Sequence, residues 1–82
     1  FNPATNICFI LKYDSKVLME VYNLSGQKVK TILQNYQVEK DEKKYAVWDG
    51  SSENGNSCAS GLYFLKLTTR REFFMRKMTL VK

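Results

Sequence analysis

Short runs of alternating apolar and polar residues, each closed by a cluster of turn formers, recur along the chain, and helical periodicity is weak throughout. Ile7-Cys8-Phe9-Ile10-Leu11 predicts a first strand, opened by Asn2-Pro3. Val17, Met19 and Val21 alternate with Leu18, Glu20 and Tyr22; Asn23-Leu24-Ser25-Gly26 then breaks the run, and residues 28–33 resume it. Two such runs around a Gly-containing break predict a hairpin. Residues 34–44 are polar apart from Tyr36 and Val38 and predict a crossing connection, with residues 40–44 as its solvated tip. Further strands are expected at residues 45–48, 62–68 and 72–81, separated by a turn-rich loop at 49–56 and a turn at 69–71. Six or seven short strands at this spacing predict an antiparallel sandwich or barrel, in which alternation also fixes the pairing register.

Trp48 and Tyr63 are the heavy core residues of this scheme, with Val21 and Leu65 beside them. Tyr63, Leu65 and Leu67 share one face of a strand that Gly61 precedes. A buried tyrosine at the start of a late strand, bonding its hydroxyl back to the backbone, is a feature of immunoglobulin-like sandwiches. The fold expected is therefore all-β, an immunoglobulin- or fibronectin-III-like antiparallel sandwich of about seven strands. Eighty-two residues make one domain, 1–82, and bury only about 60–65% of the unfolded surface. With 44% hydrophobic residues the chain has the material for such a core. No apolar run reaches 18 residues, so no transmembrane segment is expected. The chain opens on Phe1 with no basic-then-apolar leader, which suggests a piece of a longer polypeptide with any export signal upstream.

Charge and reactive groups narrow the function. Residues 1–61 carry seven lysines against seven acids, whereas residues 62–82 carry six cations against Glu72 alone. A basic C-terminal third can meet nucleic acid, a polysaccharide or an acidic protein face. The aromatics interleaved with those cations (Tyr63, Phe64, Phe73, Phe74) suggest a single-strand binder. Alternation opposes it by placing aromatics inside and cations outside, and no nucleic-acid partner is expected. The chain has no histidine, and its glycines, at 26, 50, 55 and 61, form no phosphate-binding array. Asp49, Ser51, Glu53 and Asn54 offer oxygens to Ca²⁺, but their spacing is not that of an EF-hand, and turn formation explains them better. No enzyme activity, cofactor or metal is expected. Cys8 alternates to the face opposite Ile7, Phe9 and Leu11, Cys58 is expected to point inward, and the two are expected to be unbridged.

Several segments resemble a known family. Residues 1–7, Phe-Asn-Pro-Ala-Thr-Asn-Ile, look like the opening of the C-terminal sorting domains of bacterial type IX secretion. Val21-Tyr22-Asn23-Leu24-Ser25-Gly26-Gln27 resembles their hairpin motif, and Trp48-Asp49-Gly50 a loop shared with flagellar hook-capping proteins. Ala59-Ser60-Gly61-Leu62-Tyr63-Phe64 and the ending Lys77-Met78-Thr79-Leu80-Val81-Lys82 complete the series, in order along the whole chain. Lys12 stands where many relatives have proline, Cys58 where valine is usual, and residues 37–44 are longer than in most. The resemblance implies a non-catalytic C-terminal targeting and anchoring module of a larger secreted protein. Its partners would be secretion-machinery proteins and upstream cargo domains. Its destination would be the outside or the outer cell surface, reached through the periplasm, where the domain is cleaved off or kept as an attachment point. The recognition residues it implies are Asn2, Pro3, Gly61, Tyr63, Lys77 and Lys82. The competing function is a structural immunoglobulin-like spacer or assembly module of an extracellular or hook-type protein.

Overall fold

The computed structural model describes residues 4–81. Their six strands are β1 (Thr5–Phe9), β2 (Ser15–Asn23), β3 (Lys28–Val38), β4 (Lys44–Trp48), β5 (Gly61–Thr68) and β6 (Phe73–Leu80). All pairings are antiparallel: β1 and β4 form a two-stranded sheet, and β3-β2-β5-β6 form a four-stranded one. The all-β, sandwich-like arrangement matches expectation, with six strands among the described residues where about seven were expected. The small sheet has only two members, and residues 51–57 close into a single bridge, Ser51 to Ser57, too short to make another strand.

The core follows from alternation. Val17, Met19 and Val21 on β2 are at most 2% exposed, and Tyr63, Leu65 and Leu67 on β5 are buried opposite them. Ile7 and Trp48 close over them from the small sheet, and Met78 and Leu80 add the end of β6. Val21, Trp48, Tyr63 and Leu65, the four residues expected inside, are all buried. Both cysteines are free. Cys8 sits on the outer face of β1, and Cys58 packs against the core from a half-buried position.

Three features depart from the pattern. The segment 34–38 is not a connection: β3 runs on to Val38, which is fully buried and pairs with Ser15. Asn35, at φ 53°, and register shifts in the β2–β3 ladder absorb the extra length, as bulges do. The stretch is polar because β3 is an edge strand whose sides at 34–37 are wet. Second, the aromatics of β6 are not inside. Phe74 is 46% exposed because the two-stranded sheet does not reach over the first half of β6, and its neighbour Phe73, on the outer face, is 59% exposed. Third, Glu20 is buried on the outer face of the large sheet, where Lys28 approaches its carboxylate at 4.0 Å.

The end of the sandwich bearing the β5–β6 turn is clamped by Tyr13. Its hydroxyl donates to Glu72 Oε2 at 2.6 Å and lies 2.8 Å from Thr69 Oγ1. The guanidinium groups of Arg71 and Arg70 stand 4.3 and 5.3 Å from its ring. Arg70 also donates its backbone N–H to Ser15 Oγ and its Nε–H to the Asp14 carbonyl. Two of the six C-terminal cations are thus held in a structural contact.

Burial sets the expected cost of truncation. Met19→Ala, at a fully buried site, should cost about 2–5 kcal/mol, whereas Tyr45→Ala, at a position 70% exposed, should stay within about 0.5 kcal/mol. Urea denaturation of both variants measures the difference.

Candidate functional site

The motif-bearing segments meet at the other end of the sandwich. In the β2–β3 turn, Asn23 Oδ1 accepts the N–H groups of Ser25 and Gln27, both at 3.0 Å, while its Nδ2 donates to Gln27 Oε1 at 3.0 Å. Gly26, at φ 85°, supplies the left-handed residue that closes this turn.

The loop from Asp49 to Asn56 is held with equal density. Asp49 Oδ1 accepts both the N–H and the hydroxyl of Ser51. Trp48 Nε1 donates to the Ser51 carbonyl at 2.9 Å, and the Cys58 N–H to the Gly50 carbonyl at 2.8 Å. The tip then docks on β3: the Glu53 N–H donates to the Val29 carbonyl at 2.8 Å, and the Thr31 N–H to Glu53 Oε2 at 2.9 Å. Glu53 therefore caps an open strand edge, a common protection for exposed ladders. That contact spans 22 residues and nothing local announces it. The loop oxygens weighed for Ca²⁺ face different partners, and no cluster of three metal-binding side chains occurs among the described residues.

Tyr63 joins loop to core. Its ring meets Trp48 edge to face, centroids 5.1 Å apart, and its hydroxyl donates to the Ala59 carbonyl at 2.6 Å. Burial, followed by the neighbouring Cys58 thiol, pushes that hydroxyl above its ordinary pKa. Gly61 begins β5 at φ 153°. An added Cβ there would touch nothing within 4 Å, so the backbone angle, not crowding, favours glycine.

Of the expected recognition residues, Gly61, Tyr63 and Lys77 come together along the β5–β6 pairing. Gly61 faces Leu80, Tyr63 faces Met78, and Lys77 faces Phe64. Their exposure differs. Tyr63 is buried and ties down the turn that shapes the surface, whereas Lys77 is exposed on the outer face and makes no ion pair with a described residue. Asn2, Pro3 and Lys82 lie outside the described residues. Asn23, Gln27, Lys28, Glu53, Ala59 and Tyr63 line an open groove of about 550 Å³ where the turn, the loop and the start of β5 converge. On the adjoining outer face of the large sheet, burial and the Glu20 carboxylate push the Tyr22 phenol above its ordinary pKa.

The model of the secretion system C-terminal sorting domain family matches residues 2–82, nearly the whole chain. The chain belongs to that family. No curated protein and no solved structure matches it. In this sorting domain three of the five sequence motifs that resemble the family build one end of the sandwich: the 23–27 turn, the 49–56 loop and the 59–63 corner.

Two measurements probe that end. Tyr63→Phe keeps the ring against Trp48 and removes one hydrogen bond, so it should cost about 1 kcal/mol in urea denaturation. The second concerns pH. The bonds from the Ser51 side chain and backbone hold the Asp49 carboxyl below its ordinary pKa. A depressed acid stabilises the fold above its unfolded-state pKa, about 3.9, and this contribution fades as pH falls through the lower folded value. Glu42, lowered first by its hydrogen bond with Lys44, acts with the same sign, whereas Glu39, raised first by Asp14, acts oppositely. Asp49→Asn should therefore flatten part, not all, of the fall in urea midpoint below about pH 4.

Proposed function

We propose that this domain is a folded address label, carried at the C-terminus of a larger polypeptide and read by the outer-membrane type IX secretion machinery. The family match over residues 2–82 carries the reading. The label itself performs no catalytic step. Its cargo passes through the periplasm to the outside, where the domain is removed or serves as the surface attachment.

The geometry supports recognition of a folded surface over recognition of a linear peptide. The motif residues contribute through turns held by paired hydrogen bonds, and these exist only once the sandwich has formed. Gly61 and Tyr63 set the shape of the corner. Lys77, with Lys82 beyond it in sequence, supplies charge, and Asn2-Pro3 belongs to the motif opening. Exposed cations on a recognition face speed encounter with an acidic receptor and fix its orientation.

The test fuses the domain to a reporter and measures export and melting temperature on each protein. Lys77→Glu with Lys82→Glu should leave the melting temperature nearly unchanged, since exposed charges contribute little to folding, while export falls. Truncation after Arg71 removes β6 and should abolish both folding and export. Normal export by the folded double variant would take the basic strand out of the signal. A folded wild-type domain that exports no reporter would sink the sorting reading and favour a structural spacer.

A further inference from the structure

The side of the sandwich between β1 and β6 is open. Among the described residues each of these strands has one hydrogen-bonded neighbour, β4 for β1 and β5 for β6, so each presents a free edge. Between them runs a groove of about 390 Å³, with Ile7 to Leu11 on one wall, Phe74 to Arg76 on the other, and Met19, Leu65 and Leu67 beneath.

Cross-strand register shows that the opening lies over core positions. Residues directly opposite one another share a face, and Phe74 faces Leu67 while Arg76 faces Leu65. The inward series of β6 is therefore 74, 76, 78 and 80. Met78 and Leu80 are buried, whereas Phe74 is 46% exposed and Arg76 is exposed. Arg76 thus points to the core side of the sheet, yet its side chain makes no ion pair or hydrogen bond with a described residue. Ile10, 47% exposed, adds apolar surface on the opposite wall.

We propose that this groove accepts an extended segment of a protein partner, which adds as a strand to the free edge of β6 and places carboxylates against Arg76 and Lys77. Backbone pairing supplies the affinity of such strand addition, and side chains on alternate residues supply its specificity. Five residues at about 3.3 Å each span β6 from Phe73 to Lys77. The cations decide what can bind. A second copy pairing antiparallel through its own β6 would set Arg76 against Arg76 if centred on 76, or Lys77 against Lys77 if centred on 77, and like charges directly opposite are destabilising. An inward charge on an edge strand is a known defence against self-pairing. The same guanidinium favours a strand with an acid at the matching position, since Arg–carboxylate pairs form two parallel bonds. The inference goes beyond the sorting role and holds whichever protein supplies the strand.

The probe is the end-capped octapeptide Thr-Val-Thr-Glu-Glu-Val-Thr-Val, titrated into the 82-residue domain and followed by amide NMR shifts. Shifts should concentrate on β1 and β6, and hydrogen exchange should slow at the β6 amides that β5 leaves unpaired. Replacing Glu-Glu with Lys-Lys should weaken binding at least tenfold, and Arg76→Glu together with Lys77→Glu should reverse that ranking. N-methylation of alternate peptide residues should abolish binding in one frame and spare it in the other, an outcome that plain charge attraction does not give. These peptide arms need no variant of the domain. The proposal is overturned if the acidic peptide does not bind at millimolar concentration, if both frames or both charge versions bind alike, or if the domain dimerises through β6.

Discussion

Trp48 ends β4 in the small sheet and Tyr63 lies near the start of β5 in the large one, and their rings meet at 5.1 Å across the core. The polar atoms of both rings leave the core toward the same connection, Nε1 to the Ser51 carbonyl and the hydroxyl to the Ala59 carbonyl. One aromatic contact therefore joins the sheets and pins both ends of the loop between them. The loop in turn places Glu53 on the edge of β3, so the two-stranded and four-stranded sheets are linked at their border by this loop and not by a shared ladder. In a domain this small, with a correspondingly thin core, that arrangement makes the fold and the shape of the motif-bearing end a single property.

How much of this could be read from the sequence depended on whether the deciding contact was local. The β2–β3 hairpin, the loop after Trp48 and the run Tyr63-Leu65-Leu67 carry their signals within a few residues, and all formed as expected. Residues 34–38 did not, because an edge strand wet on both sides lacks alternation, and only the burial of Val38 reveals its pairing. Phe74 was misplaced for a related reason: alternation assumes a sheet covered along its full width, and here the cover has two strands over four, while its neighbour Phe73 falls on the outer face. Among the recognition candidates, Lys77 was correctly expected on the wet face. Nothing local could have identified Glu53, which acts across 22 residues, or Glu20, buried among long side chains on a face that should have been solvated.

The basic character of the last third divides once the contacts are known. Arg70 and Arg71 stand against the Tyr13 ring at one end, where the Tyr13 hydroxyl also donates to Glu72. Lys66 reaches over Phe73 at 4.9 Å. Arg76 and Lys77, adjacent in sequence, point to opposite faces of one strand, the first toward the groove and the second toward the outer face. A charge surplus that composition presents as one patch is thus distributed over three places with different roles.

That distribution bears on how residue function can be separated from folding in so small a sorting domain. Gly61, Tyr63 and the Asp49 loop form the shape of one end and also contribute to stability, so altering them changes the folded population along with any recognised surface. Small domains have only a few kcal/mol to lose, and a loss of one or two is a large share of it. Reduced export by such variants would follow equally from lost recognition and from lost folding. Lys77 differs because it is exposed and makes no ion pair with a described residue, so its charge can be reversed while the sandwich stays intact. The residues least involved in holding the fold are therefore the ones able to show what is read from it.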